Sequence, residues 1–238
     1  MPFPAFATFT SLETGRLRLR TVVPADAPAI TPLVSDWEIA RQTGSIPHPY
    51  PKGGAEKCVS DILACQTYGL ALALAIERKE DGRLIGCITL ETDPSGTPPA
   101  LGYWLGREWW GKGYATEAAA ALADHALSAL RLDRIEASVF PGNPASIRVL
   151  EKAGFRHAGR GTHPAPARGG ETEVLLYLLR REGFRGAKHG MRNHPTRCQQ
   201  SFTSALVAPA FGVQELAEVG VAVEPRRWLE ESPFILIV

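Results

Sequence analysis

Trp109-Trp110-Gly111-Lys112-Gly113-Tyr114-Ala115-Thr116-Glu117 places two glycines where an extended segment gives way to an alanine-rich one. Upstream, Leu101-Gly102-Tyr103-Trp104-Leu105 has the aromatic and apolar content of a strand; downstream, Ala115 to Leu130 has that of a helix. Glycine tolerates positive φ and lets another group approach the backbone closely. The first turn of a helix leaves N–H groups without intrahelical partners, and its dipole favours an anion. Residues 111–115 therefore predict a grip for a phosphate, with Lys112 adding charge on a flexible stem and Ala115 keeping the first turn narrow. This is neither a Walker loop, since no Gly-Lys-Ser/Thr ending follows four intervening residues, nor a Rossmann G-x-G-x-x-G. A glycine turn that only tightens a strand-to-helix joint explains the same fragment.

A second motif lies downstream. Arg134 to Phe140 reads as a strand, leaves through Pro141-Gly142, and enters a short helix from Pro144 to Ala153. Asn143 suits the cap, Pro144 the first turn, and Gly154 the left-handed residue just past the end. Ser146 falls in the first turn, where a small polar residue needs no chemical reason.

Working outward, Arg16 to Thr21 alternates like a half-exposed strand, and Pro24-Ala25-Asp26-Ala27 leads into a helix carrying Ile30, Leu33, Val34 and Trp37. The prolines of Ser45 to Pro51 stop any helix, and a second helix follows over Ala55 to Thr67. Leu70 to Ile76 and Leu84 to Leu90 read as strands joined at Asp81-Gly82, a hairpin signal. Asp93 to Pro99 is a loop, and a last strand pair falls near His157 to His163 and Glu173 to Leu179. The result is a mixed α/β sheet flanked by helices, with too few regular β–α alternations for a barrel. Composition changes at Gly183. Residues 1–182 form one domain and 183–238 an extension that packs on its own domain or a partner, or is a disordered end. Its apolar finish, Phe234-Ile235-Leu236-Ile237-Val238, offers an edge strand and a route to a homodimer.

The totals exclude several classes. A formal net charge of +1 gives no broad field for nucleic acid or an anionic membrane. Arg180, Arg181, Arg185, Lys188, Arg192 and Arg197 form no basic helix or aromatic platform of motif strength. No apolar segment reaches membrane-spanning length, and Met1 to Phe6 lacks the positive region of a secretory signal. Cys58, Cys65, Cys87 and Cys198 show no paired spacing, as expected of a cytoplasmic protein with reduced thiols. His189, His194 and Cys198 match no zinc signature, so no metal is expected, and Cys87 has no evident activating base.

Leu101 to Ala118 resembles the Gcn5-related N-acetyltransferase superfamily, in particular its ribosomal-protein N-terminal acetyltransferase-like branch. That family carries Arg/Gln-x-x-Gly-x-Gly/Ala at the turn, matched here by Trp110, Gly111, Lys112, Gly113, Tyr114 and Ala115, with Trp110 in place of Arg or Gln. The likeness continues through Asn143-Pro144-Ala145-Ser146-Ile147-Arg148-Val149-Leu150-Glu151-Lys152-Ala153-Gly154-Phe155. As organisation it covers residues 12 to 182, and nothing similar is recognised beyond Gly183. The resemblance implies that fold: a mostly antiparallel sheet, splayed between the Leu101 and Arg134 strands to admit a thioester. It implies acetyl-CoA as co-substrate, its pyrophosphate on residues 111–115 and its pantetheine arm on the backbone around Trp104-Leu105-Gly106. Asn143 would fix the pantetheine or thioester region, and Ser146 would protonate the departing thiolate. Asn143 as a simple cap and Ser146 as a filler of the first turn remain open.

The implied reaction is direct attack of a neutral amine on the thioester, with a backbone N–H near Tyr103-Trp104 facing the developing oxyanion. An N-terminal α-amine, with a reference pKa of about 7.7–8.0, loses its proton more readily than lysine at about 10.4. The branch often places a Glu just before Gly-Tyr-Trp, whereas this chain has Pro99-Ala100-Leu101. Glu91 is the substitute base, or else a solvated strand-end carboxylate. Glu117 belongs to a helix first turn. The acceptor pocket draws on the first two helices and the Ile46 to Pro51 loop, with Trp37, His48 and Tyr50 as lining or, alternatively, core and loop bracing. Trp104, Trp109 and Trp110 can equally be packing residues. The acceptor is a protein N-terminus or a small amine, antibiotics included; a fold that binds acyl-CoA without turnover is the competing function.

Overall fold

The structure is a computed structural model that describes residues 4–92 and 98–182. The extension, its apolar end, and His189, His194 and Cys198 lie outside the described residues. The described residues hold eight strands: β1 (Ser11–Glu13), β2 (Leu17–Thr21), β3 (Ala71–Arg78), β4 (Leu84–Glu91), β5 (Ala100–Leu105), β6 (Arg134–Val139), β7 (Arg156–Ala165) and β8 (Gly170–Arg180). The helices are α1 (Ala27–Val34), α2 (Trp37–Ala40), α3 (Gly54–Thr67), α4 (Tyr114–Ser128) and α5 (Pro144–Lys152). One sheet holds all the strands in the order β1-β2-β3-β4-β5-β6-β8-β7. Only β5 and β6 run parallel; every other neighbouring pair is antiparallel.

Alternation along the strands sorts side chains to two faces. Leu72, Leu74, Ile76, Ile88, Leu90, Leu101, Tyr103, Ile135, Ala137 and Val139 join α4 and α5 in one core cluster. Ala73, Ala75, Cys87 and Trp104 point to the opposite face, against α1, α2 and α3. Both layers are apolar because the middle strands are covered on both sides, which explains the near-continuous burial of β3 and β4. Gly86 is required by close approach: a Cβ there would sit 2.2 Å from the Trp104 carbonyl oxygen. Next to it the β3–β4 register slips by one residue, from Ile76↔Gly86 to Glu77↔Leu84, so Ile85 bulges.

Two expectations change. The helix expected to run through Trp37 stops at Val34. Asp36 then takes an extended conformation, and its side chain accepts from the Glu38 N–H, which starts the separate turn α2. The final hairpin is also longer than its sequence pattern indicated, because β7 and β8 stay paired out to Ala165↔Gly170 and only a short turn at Pro166–Arg168 joins them. The added strand β1 lengthens the sheet at its other edge.

Candidate active site

The sheet opens beside the glycine turn. β5 and β6 share a single rung, Ala100↔Glu136, closed by the Glu136 N–H donating to the Pro99 carbonyl at 2.9 Å. Beyond it the two strands part. On the other side of β5 the ladder with β4 is complete, and the Gly106 N–H donates to the Ile85 carbonyl at 2.9 Å. Antiparallel pairs alternate in which neighbour they bond, so Trp104 and Gly102 are turned to β4 while Tyr103 and Leu105 are turned to the gap. Of the Trp104-Leu105-Gly106 backbone, only Leu105 is thus directed at the opening, and its carbonyl already accepts from Trp110 Nε1 at 2.8 Å. The Tyr103 and Leu105 N–H groups remain facing the gap.

Gly111 and Gly113 both adopt left-handed backbone, with φ of +72° and +82°. Gly113 is the N-cap of α4, which starts one residue before Ala115; the Glu117 N–H closes the first turn onto the Gly113 carbonyl. The N–H groups of Tyr114, Ala115 and Thr116 therefore have no intrahelical acceptor. No heavy atom lies within 4 Å of a Cβ built at Gly111, so the cradle is open on that side. These features fit a diphosphate. Lys112 leans its Nζ over the Trp109 ring, 4.8 Å from the centroid, and Arg78 stacks over the same ring at 4.7 Å.

A strap that the sequence gives no hint of holds this turn. Glu117 accepts from Thr14 Oγ1 at 2.6 Å, from the Arg16 N–H at 2.8 Å and from Arg16 Nε at 2.7 Å. Arg16 also donates to the Lys112 carbonyl at 3.0 Å and lies over the Tyr114 ring. Burial opposes the Glu117 charge, but these hydrogen bonds outweigh it and hold the carboxyl below its ordinary range. No local pattern announces contacts a hundred residues apart.

Asn143 caps α5 as expected, its Oδ1 accepting from the Ser146 N–H at 3.1 Å. Ser146 is 1% exposed and Tyr103 also 1%. Neither hydroxyl has a partner of hydrogen-bonding geometry, although the two approach closely enough for Ser146 to ease the ionisation of Tyr103. Burial dominates and pushes the phenol well above its ordinary value.

Residues 16–156 match the acetyltransferase (GNAT) domain family. The chain belongs to that family and is an N-acetyltransferase. The uncharacterised N-acetyltransferase p20 of Bacillus licheniformis is 33% identical over 174 residues, covering 72% of this chain and 97% of that protein. The ribosomal protein uS5-alanine N-acetyltransferase of Escherichia coli is 27% identical over 157 residues, covering 62% of this chain and 79% of that one. The solved structure of Mycobacterium smegmatis RimJ in complex with CoA-disulfide matches with a TM-score of 0.63 at 28% identity, covering 71% of this chain and 88% of its own.

The departure from the GNAT branch at Ala100 has a structural counterpart. Glu91 is the direct cross-strand partner of Ala100. Such partners share a face with Cβ atoms about 4.5–5.5 Å apart, so Glu91 puts a carboxylate beside the place where the branch carries one. It is 3% exposed, which overturns the solvated strand-end reading. Its face is that of Trp104 and α3, opposite to Tyr103 and Ser146. Trp37 is 55% exposed, so it is not core. Its ring meets that of exposed His48 at 5.2 Å. Tyr50 is half-buried against the α1–α3 layer, and burial raises its phenol pKa. Trp104 and Trp109 are buried packing residues at 2% and 6% exposure. Among the described residues, no group of three His, Cys, Asp or Glu is placed to hold a metal, and no helix is long and apolar enough to cross a membrane.

Proposed function

We propose that the chain transfers acetyl from acetyl-CoA to an α-amine, with the donor on the α4–α5 face and the acceptor on the α1–α3 face. The observation that carries this reading is the single-rung contact between β5 and β6, which leaves an opening between the two faces beside a cradle of free N–H groups. Gly111, Lys112, Gly113, Tyr114 and Ala115 hold the pyrophosphate, and Trp110 braces the turn against Leu105. The Leu105 N–H pairs with the pantetheine arm, and Asn143 fixes the helix start beside it. The thioester supplies an acyl carbon with a good leaving group.

Glu91 takes the proton of the attacking amine, whose nitrogen forms a bond to the acyl carbon as the carbon–sulfur bond breaks. The Tyr103 N–H faces the oxygen on which charge develops. The hydroxyl pair Tyr103–Ser146 supplies the proton that the departing sulfur takes up. Two groups on opposite faces thus divide the base and acid work. Trp37, His48 and Tyr50 line the acceptor side. A protein N-terminus is favoured over a lysine because the α-amine needs less help to lose its proton.

The test combines calorimetry with thiol release. Coenzyme A should bind the wild-type chain, and binding should weaken when Gly113 is replaced by a β-branched residue. Acetyl-CoA should release thiol when α-amino peptides are added. Tight binding without release for any peptide or small amine would replace the enzyme reading by that of a binder.

A further inference from the structure

A group of side chains on the acceptor face includes one exposed cation, Arg168, with no acid beside it among the described residues. The tip of the β7–β8 hairpin reaches across the sheet, and the Ala167 N–H donates to the Gly44 carbonyl at 3.0 Å, just past α2. The next residue, Arg168, lays its guanidinium 3.8 Å from the centroid of the Phe140 ring. Phe140 is 4% exposed and follows β6 directly, at the end where β5 and β6 have parted. By strand alternation its side chain takes the face opposite Val139, the face that also holds Glu91 and Trp104. Arg41 caps α2, and its N–H donates to the Trp37 carbonyl, so the two side chains lie one turn apart on one side of the helix. The Ala167–Gly44 contact thus brings the Arg168–Phe140 pair to the segment that follows Trp37 and Arg41.

Arg41 is paired with Glu38 at 2.7 Å. Arg168 has no carboxylate in ion-pair range among the described residues. Arg168 is exposed, and the part of its guanidinium covered by the protein and the Arg41 charge both disfavour its own charge. A cation held over an aromatic ring, beside a second cation and without an acid, is arranged to receive an anion from outside.

We propose that Arg168, backed by Arg41, selects acceptors that carry a carboxylate close to the reacting amine. The inference rests on acetyl transfer across the β5–β6 opening and adds the charge of the acceptor. The carboxylate can belong to a free α-amino acid or to an acidic side chain near a peptide N-terminus; the shared chemistry is an anion within reach of the α-amine.

The experiment compares thiol release from acetyl-CoA with two matched pairs: free amino acids against their amides, and peptides with Asp or Glu at the second and third positions against the Asn or Gln versions. Wild type should favour the acid of at least one pair by about tenfold in kcat/KM, the worth of one charge-assisted hydrogen bond. The pair that shows it identifies the source. Arg168→Gln should bring that ratio near one, Arg168→Lys should keep part of it, and Arg168→Glu should turn the preference toward lysine-containing peptides. Equal rates for acid and amide in wild type would overturn the proposal and leave acetyl transfer standing. So would a ratio that Arg168→Gln leaves unchanged. Absence of thiol release with every amine would overturn both.

Discussion

Tyr103 and Ser146 bring two buried hydroxyls together with no hydrogen bond of proper geometry to satisfy either. A buried hydroxyl without a partner costs folding about 1–3 kcal/mol. Nothing in the packing requires that cost, since phenylalanine would fill the same space. Tyr103→Phe should therefore leave stability unchanged or raise it while lowering kcat. Because thiolate is a good leaving group, the loss should sit at or below the low end of general-acid effects, about a hundredfold. Ser146→Ala should act on the same step, so the double variant should be little worse than the worse single one. Denaturant melts and saturating-substrate kinetics check both halves; multiplicative losses would show that the hydroxyls act separately.

The two glycines of the turn should respond alike in conformation. Both hold left-handed φ, which costs an ordinary L-residue about 1–2 kcal/mol. The space at Gly111 is open, so Gly111→Ala meets only the conformational cost and the intrusion of a methyl group on the cradle. Calorimetry should show weaker coenzyme A binding with the melting temperature a few degrees lower. An unchanged affinity would remove the pyrophosphate from this turn.

Glu117 links α4 to the turn between β1 and β2. Glu117→Gln keeps the shape but removes the charge that Thr14 and Arg16 bond. The expected loss is about 1–2 kcal/mol, because Arg16 is half exposed and partly screened. The same carboxyl gives a pH dependence. Its folded pKa is lowered, as is that of Asp26, where burial is outweighed by hydrogen bonds from Arg20 and the Val23 N–H. Such groups stabilise the fold above the unfolded carboxylate value of about 4, and this contribution disappears as pH falls through the folded values. Acid unfolding should begin at higher pH in Glu117→Gln, with the coenzyme A dissociation constant rising alongside.

The glycine turn before α4 and the α5 cap were legible because each is written in a few adjacent residues. Gly111 and Gly113 announce positive φ, and Asn143-Pro144 announces a helix start. The splay was legible only through family likeness, since strand divergence leaves no local trace. Trp37 misled as a continuation of the first helix because its spacing from Ile30 and Val34 is helical, and the Asp36 cap that breaks the run competes with it only weakly in sequence. Glu91 looked like a strand end open to water; it is buried at a position flanked by β3 and β5, and no pattern near Glu91 predicts that. The strap from Arg16 to Glu117 and the approach of the β7–β8 turn to Gly44 are products of the whole topology.

Gly86 offers a test of the sheet beneath the site. An alanine Cβ would lie 2.2 Å from the Trp104 carbonyl oxygen, a backbone atom that cannot turn aside. Gly86→Ala should cost about 1–3 kcal/mol, as overpacking does. The displaced strand is β5, so acetyl transfer should fall further than coenzyme A affinity, which depends mainly on the turn. Matched losses in both would place the damage in global folding.

Glu91 lies opposite Ala100 on the face proposed for the acceptor, and its removal should show in the pH profile more than in the rate alone. With Glu91→Gln the amine must reach the site already neutral, so kcat/KM should climb with pH until the amine's own pKa, about 8 for a peptide N-terminus. At pH 7 the deficit should be about a hundredfold, shrinking as the acceptor deprotonates in solution. An acceptor amine of lower pKa should recover more of the rate than one of higher pKa. A deficit that is constant from pH 6 to pH 9, the same for both amines, would give Glu91 a structural role beneath the sheet and leave the amine to lose its proton to water.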